Sequence, residues 1–82
     1  MRPSSELYVR KLTVDEALLK LDGYLSEAIM AELTQFTIVH GKGQGILRRA
    51  IQAELARSPL VQFYRDGLFG EGESGVTIVY LV

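Results

Sequence analysis

Phe36-Thr37-Ile38-Val39-His40-Gly41-Lys42-Gly43-Gln44-Gly45-Ile46-Leu47-Arg48-Arg49 is the stretch around which the rest of the chain is arranged. It divides into three pieces. Phe36 to Val39 is a short apolar run of the kind that forms a strand buried on both faces. Gly41, Gly43 and Gly45 then alternate, so the backbone can take positive φ and lie close against another molecule. From Ile46 the period turns helical, with Ile46, Leu47, Ala50, Ile51 and Leu55 on one face. A strand, a glycine loop and a helix in succession leave the helix's first N–H groups without partners and open to an anion. The single histidine, His40, stands at the entrance, and Lys42, Arg48 and Arg49 surround it. Together these residues predict a basic pocket suited to phosphate. The plainer alternative is a tight turn that needs glycine, with arginines on a solvated helix face.

Working outward, Met1 to Ser5 reads as a tail or linker, and residues 6–82 as one domain. Glu6 to about Arg10 alternates as a first strand. Thr13-Val14-Asp15-Glu16 has the form of a capping box, with Leu12 placed to staple on Ala17. The helix that follows carries its apolar stripe on Val14, Ala17, Leu18, Leu21, Leu25, Ala28 and Ile29. Gly23 inside it costs about 1 kcal/mol relative to alanine. Downstream, Ser58-Pro59 ends the second helix near Arg57. Leu60 to Arg65 is a third strand, Asp66 to Ser74 an acidic glycine-rich loop, and Gly75 to Leu81 a final strand.

The order is βαβαββ, an α/β domain with two helices on one face of a mixed four-stranded sheet. Right-handed crossovers make the first three strands parallel, and the last returns antiparallel. Arg10, His40 and Arg65 then share the edge formed by the carboxyl ends of the parallel strands, where open α/β sheets bind ligands.

Composition narrows the function. With 82 residues there is room for one small domain, and 48% hydrophobic content argues that it folds. There is no cysteine and only one histidine, which excludes disulfide frameworks, thiolate metal sites and multi-histidine zinc centres. No apolar run approaches the roughly 20 residues that cross a bilayer. A cytoplasmic protein without membrane partners is the expectation. Net charge is −1, but its distribution is uneven. No acidic residue occurs between Leu33 and Ala53, whereas Asp15, Glu16, Asp22, Glu27 and Glu32 face only Lys20. That suits a polyanion held at one edge, away from an acidic back.

A dinucleotide fingerprint is not met, because the third glycine comes one residue too early for G-x-G-x-x-G. The P-loop pattern is also missing. Asp15, Asp66, Glu71 and Glu73 form no recognised metal cage. Magnesium or manganese is compatible through one carboxylate and substrate phosphates, but the sequence requires neither.

His40-Gly41-Lys42-Gly43 before a helix resembles the H-G-x-G motif of the Smr (small MutS-related) domain. Leu7-Tyr8-Val9-Arg10, Leu12-Thr13-Val14-Asp15-Glu16-Ala17-Leu18 and Gly75-Val76-Thr77-Ile78-Val79-Tyr80-Leu81 support the resemblance. It covers nearly the whole chain. The family's fold is a two-layer α/β sandwich, in agreement with βαβαββ. The resemblance implies an endonuclease module tethered to an upstream MutS-like region that restrains recombination, with relatives that cleave RNA at stalled ribosomes. Arg10 matches the arginine form of the family's first motif. Tyr8 stands where that motif has aspartate, and Lys11 where glycine is common.

The expected site follows from both lines. His40, Arg10 and Glu71 are the catalytic candidates. Gly41, Lys42, Gly43, Gly45, Arg48, Arg49, Lys11 and Arg65 are the candidates for holding nucleic acid. The expected partner is DNA, with RNA or a ribosome as the alternative. A non-catalytic nucleic-acid-binding module is the second hypothesis, and an adapter using Leu68-Phe69 the third.

Overall fold

A computed structural model describes residues 4–82; residues 1–3 of the expected tail lie outside the described residues. Seven elements follow one another: β1 (Glu6–Tyr8), α1 (Val14–Met30), β2 (Gln35–Val39), α2 (Ile46–Arg57), β3 (Val61–Asp66), a 3-10 turn (Glu73–Gly75) and β4 (Val76–Leu81).

The sheet order is β1-β2-β4-β3. β1 and β2 are parallel, and β4 is antiparallel to both β2 and β3. The first three strands therefore point the same way, as the crossover argument requires. β4 enters between β2 and β3, a position the order of elements alone does not specify. Edge strand β1 has three residues and edge strand β3 is bulged between Val61 and Phe63, both of which discourage pairing with another sheet.

Sequence signals set α1 closely. Thr13 caps it, accepting from the Glu16 N–H while the Glu16 carboxylate accepts from the Thr13 N–H. Ala17, Leu21, Tyr24, Leu25 and Ala28 are its buried face. Tyr24 was absent from the expected stripe; its ring packs 4.6 Å from Phe36, and its hydroxyl donates to the Ser4 carbonyl. The Ser5 carbonyl accepts from Thr37, so the ladder of β1 and β2 already begins there.

The core is one cluster between the helices and the sheet. Leu7, Val9, Leu21, Phe36, Ile38, Ile51, Leu55 and Val79 are among its buried members. The expectation that β2 is buried on both faces is corrected. Phe36 and Ile38 are buried, but Thr37 and Val39 on the alternate face are only half-buried. Both helices lie on one side of the sheet, so the outer side has no second layer to cover it. β1 also ends earlier than expected, at Tyr8, because the chain turns over residues 9–12 with Leu12 N–H bonded to the Val9 carbonyl.

Candidate nucleic-acid interface

The carboxyl ends of β1, β2 and β3 build the site. His40 follows β2 directly, Arg10 lies two residues beyond β1, and Arg65 is the penultimate residue of β3. The loop after β3 joins the same edge: the Gly75 carbonyl accepts from both the His40 and Gly41 N–H groups.

The glycine loop has the conformation its sequence predicts. Gly41 and Gly45 sit at φ 84° and 79°, where a side chain is strained. Space is also taken. A Cβ on Gly41 would stand 3.4 Å from Arg10 Nε, and one on Gly45 would stand 3.3 Å from Arg49 Nη1. Each of these glycines therefore lets a cation lie on the loop backbone. Gly75 does the same for Lys42, whose Cγ would be 3.3 Å from an added Cβ.

Gly45 is the N-cap of α2 and offers no side-chain hydrogen bond, and the first turn holds no acidic residue. Arg48 and Arg49 lie instead at this positive end of the helix dipole, an unfavourable placement unless an anion offsets it. Asp66 supplies part of the offset. It accepts from Arg48 Nε at 2.9 Å and Nη2 at 2.7 Å. Arg48 and Gln52 in turn hold the Asp66 carboxyl below its ordinary range. A small cavity of about 150 Å³ remains at the helix start, lined by residues 40–48. A larger one of about 470 Å³ opens on the other side of the loop, with Arg10, Val39, Lys42, Gly72 and Val76 in its walls.

His40 is buried, with 4% of its surface exposed. Both ring nitrogens are bonded. The Gly41 carbonyl at 3.0 Å can only accept, so Nδ1 carries the hydrogen. Nε2 therefore accepts from the Thr77 hydroxyl at 2.8 Å. Gln52 Nε2 donates to Thr77 Oγ1 at 3.1 Å and to Asp66 Oδ1 at 2.9 Å. The chain Arg48–Asp66–Gln52–Thr77–His40–Gly41 thus ties α2, β3 and β4 to the loop. Burial pushes the His40 pKa down from 6.5, against the opposing pull of its bond to Gly41.

Other candidates are placed as follows. Lys42 pairs with Glu73 at 3.1 Å on the surface, an interaction of small worth that a phosphate can displace. Arg65 donates to both oxygens of Glu71, at 2.8 and 3.2 Å, and to the Tyr80 hydroxyl. Glu71 also accepts from the Leu68 N–H, and Arg65 above all holds its carboxyl down to about 2. Arg65 and Glu71 therefore close the loop after β3 on itself and do not join the glycine loop. Lys11 is exposed and sits at φ 67°, the conformation a glycine would adopt without strain. Leu68 and Phe69 are exposed at the loop tip, at 63% and 95%. Thr77 and Gln52 were not among the sequence candidates. Thr77 reads as an ordinary strand threonine, and only the tertiary pairing of β2 with β4, which sets it opposite Ile38, brings its hydroxyl within reach of the His40 ring.

Among the described residues no group of three or more His, Cys, Asp and Glu gathers into a metal site. Asp66, Glu71 and Glu73 are each committed to a cation. No helix of the described residues is long and apolar enough to cross a membrane.

Known proteins share this fold. The crystal structure of the Smr domain of Thermus thermophilus MutS2 superposes with a TM-score of 0.92 at 45% identity, covering 94% of this chain and 96% of that one. YdaL, a stand-alone small MutS-related protein from Escherichia coli, gives 0.88 at 27% identity, covering 96% and 66%. Endonuclease MutS2 of Caldicellulosiruptor saccharolyticus is 56% identical over 73 residues, 89% of this chain and 9% of that protein. Endonuclease MutS2 of Clostridium beijerinckii is 52% identical over 77 residues, 94% of this chain and 10% of that protein. The chain thus spans about a tenth of the length of these curated relatives. With residues 7–82 matched by the model of the Smr domain, the chain belongs to the Smr domain family.

Proposed function

We propose that this domain is an endonuclease module that seats a backbone phosphate on the glycine loop and nicks DNA, branched or duplex, with little sequence preference. Its setting is the carboxyl-terminal part of a MutS-like protein that restrains recombination. One observation carries the reading: Arg10, Lys42 and Arg49 lie against the glycines of one rim, around a helix start that no side chain caps. The name endonuclease MutS2 on relatives supports the nuclease class.

The chemistry asked of this rim is electrostatic. A phosphate at the start of α2 accepts from free backbone N–H groups. Arg10, Lys42 and Arg49 stabilise the charge that grows on the phosphoryl oxygens as water attacks and the P–O bond breaks. Removing one such donor costs on the order of 100-fold in rate. Bonds on both nitrogens favour a positioning role for His40, which fixes the Gly41 carbonyl and with it the loop. A proton-transfer role requires the Thr77 or Gly41 bond to open. Glu71, ionised and tied to Arg65, likewise supports the shape of the neighbouring loop.

Plasmid nicking by wild type, Arg10→Ala and His40→Asn tests this, on structured DNA and RNA, with and without magnesium or manganese. The proposal expects relaxed circles from wild type and about 100-fold less from Arg10→Ala. A proton-transferring His40 would shift the pH profile of cleavage in His40→Asn, whereas a positioning His40 lowers the rate at every pH alike. Equal nicking by Arg10→Ala and wild type removes the rim from the chemistry. Tyr8 in place of the family's aspartate favours a second reading, a module that binds without cutting. Salt-dependent binding with no cleavage of either nucleic acid would establish it.

A further inference from the structure

Tyr8 is the residue of this site that the phosphate chemistry leaves unused, and its surroundings give it a use. On β1, Leu7 is buried toward the helices and Tyr8 is 55% exposed on the opposite face. In register, Tyr8 sits beside Val39, and Val39 beside Val76. Register partners share a face, so the exposed Tyr8 ring continues into half-buried Val39, and Val76, 7% exposed beneath Gly67 and Gly72, closes the inner end of a strip across three strands. At about 4.8 Å per strand the strip is roughly 10 Å long. Val39 and Val76 are also walls of the 470 Å³ cavity, a volume within the range of small-ligand sites. The cavity's remaining walls carry Arg10 and Lys42. The phosphate cavity at the start of α2 shares Gly41, Lys42 and Gly43 with it.

We propose that the Tyr8–Val39–Val76 strip and the cavity above it form a subsite for one unpaired nucleobase, whose own backbone phosphate lies over the glycine loop. The inference rests on the phosphate rim and names what the rim selects. An apolar strip flanked by two cations fits an aromatic face joined to an anion. A base within a duplex is stacked on both sides and cannot lie flat on a sheet, whereas an extruded or single-stranded base can. The Tyr8 ring remains available, since its hydroxyl donates to Glu6 Oε1 at 3.1 Å and its carbonyl accepts from Lys20 Nζ at 2.8 Å. With 55% of its surface exposed, the side chain stays accessible to solvent. In this chain the aromatic ring replaces the carboxylate of the family motif, exchanging a charge that repels nucleic acid for a surface that stacks on it.

The test uses three DNA duplexes: fully paired, with one bulged adenine, and with an abasic residue at the bulge. Affinities are read by fluorescence anisotropy at low salt. Wild type binds the bulged adenine about tenfold more tightly than the abasic bulge. Tyr8→Ala reduces that preference to less than twofold and leaves the abasic affinity unchanged, while Tyr8→Phe retains it. Because Tyr8 is exposed, the alanine variant keeps its core; its circular dichroism spectrum checks this. Equal affinity for adenine and abasic bulges in wild type, with binding still salt-dependent, overturns the subsite and leaves the rim standing. Absence of salt-dependent binding to all three duplexes overturns the rim as well.

Discussion

Thr77→Val isolates the hydroxyl that holds His40. Thr77 is fully buried at 0% exposure, and valine has nearly its shape, so no cavity opens. Two hydrogen bonds are lost. Gln52 Nε2 keeps its bond to Asp66 Oδ1 at 2.9 Å, so it is not stranded. Among the described residues His40 Nε2 has no other partner than Thr77 Oγ1. The cost is therefore that of one buried acceptor left unmade, about 1–3 kcal/mol. Against a total stability of roughly 4–12 kcal/mol for a chain of this length, that is a large fraction. The melting temperature should fall by about 4–8 °C for each kcal/mol. Urea denaturation at pH 7.5 gives the energy. Long-range nitrogen–proton NMR of the ring gives the tautomer, which should be Nδ1–H in wild type and in the hydroxyl-retaining control Thr77→Ser. A loss below about 0.3 kcal/mol in Thr77→Val, or a wild-type ring protonated at Nε2, would refute the proposed direction of the whole chain of bonds.

Further outcomes follow at His40, Gly23 and Lys11. Burial lowers the His40 pKa below 6.5, so the unfolded chain binds more protons than the folded one in the range below 6.5. Stability should be complete above pH 6.5 and decline as pH falls through the folded-state value; urea midpoints between pH 5 and 7.5 should show this in wild type and not in His40→Asn. Gly23 is exposed in the middle of α1 with nothing within 4 Å of an added Cβ, so Gly23→Ala should raise stability by about 0.5–1 kcal/mol in thermal melts. Lys11→Gly should also stabilise, by about 1 kcal/mol, because it relieves a left-handed backbone at φ 67°. If Lys11 touches phosphate, the same change should reduce the slope of log affinity against log salt by about 0.9 on duplex DNA.

Local signals carried most of the fold. Thr13 and Glu16 fixed the start of α1, Ser58-Pro59 the end of α2, and the alternation of Val76 to Leu81 the last strand, because each of these is decided within a few residues. The place of β4 inside the sheet was not legible, since strand neighbours are chosen by long-range pairing. The same limit applied to the site. Arg10, His40 and Arg65 were readable as one edge because each follows or ends a parallel strand. That Arg48 is bound to Asp66, or that His40 is satisfied by Thr77, depends on pairs 18 and 37 residues apart. Tyr8 and Lys11 were visible as departures from the family motif, and the backbone angle at Lys11 explains why glycine is common there.

The position of β4 bears on how the domain comes to be made. β2 and β3 bond to each other nowhere; each pairs with β4 alone. A nascent chain that has emerged only through β3 has its helices and most of its apolar residues but no seam joining the two halves of the sheet. Contacts as distant as Gln35 with Tyr80 must close before either half is secured, which makes the folding step late and slow for so short a chain. Translation arrested before Val76 should therefore yield a protease-sensitive product rather than a partly working one.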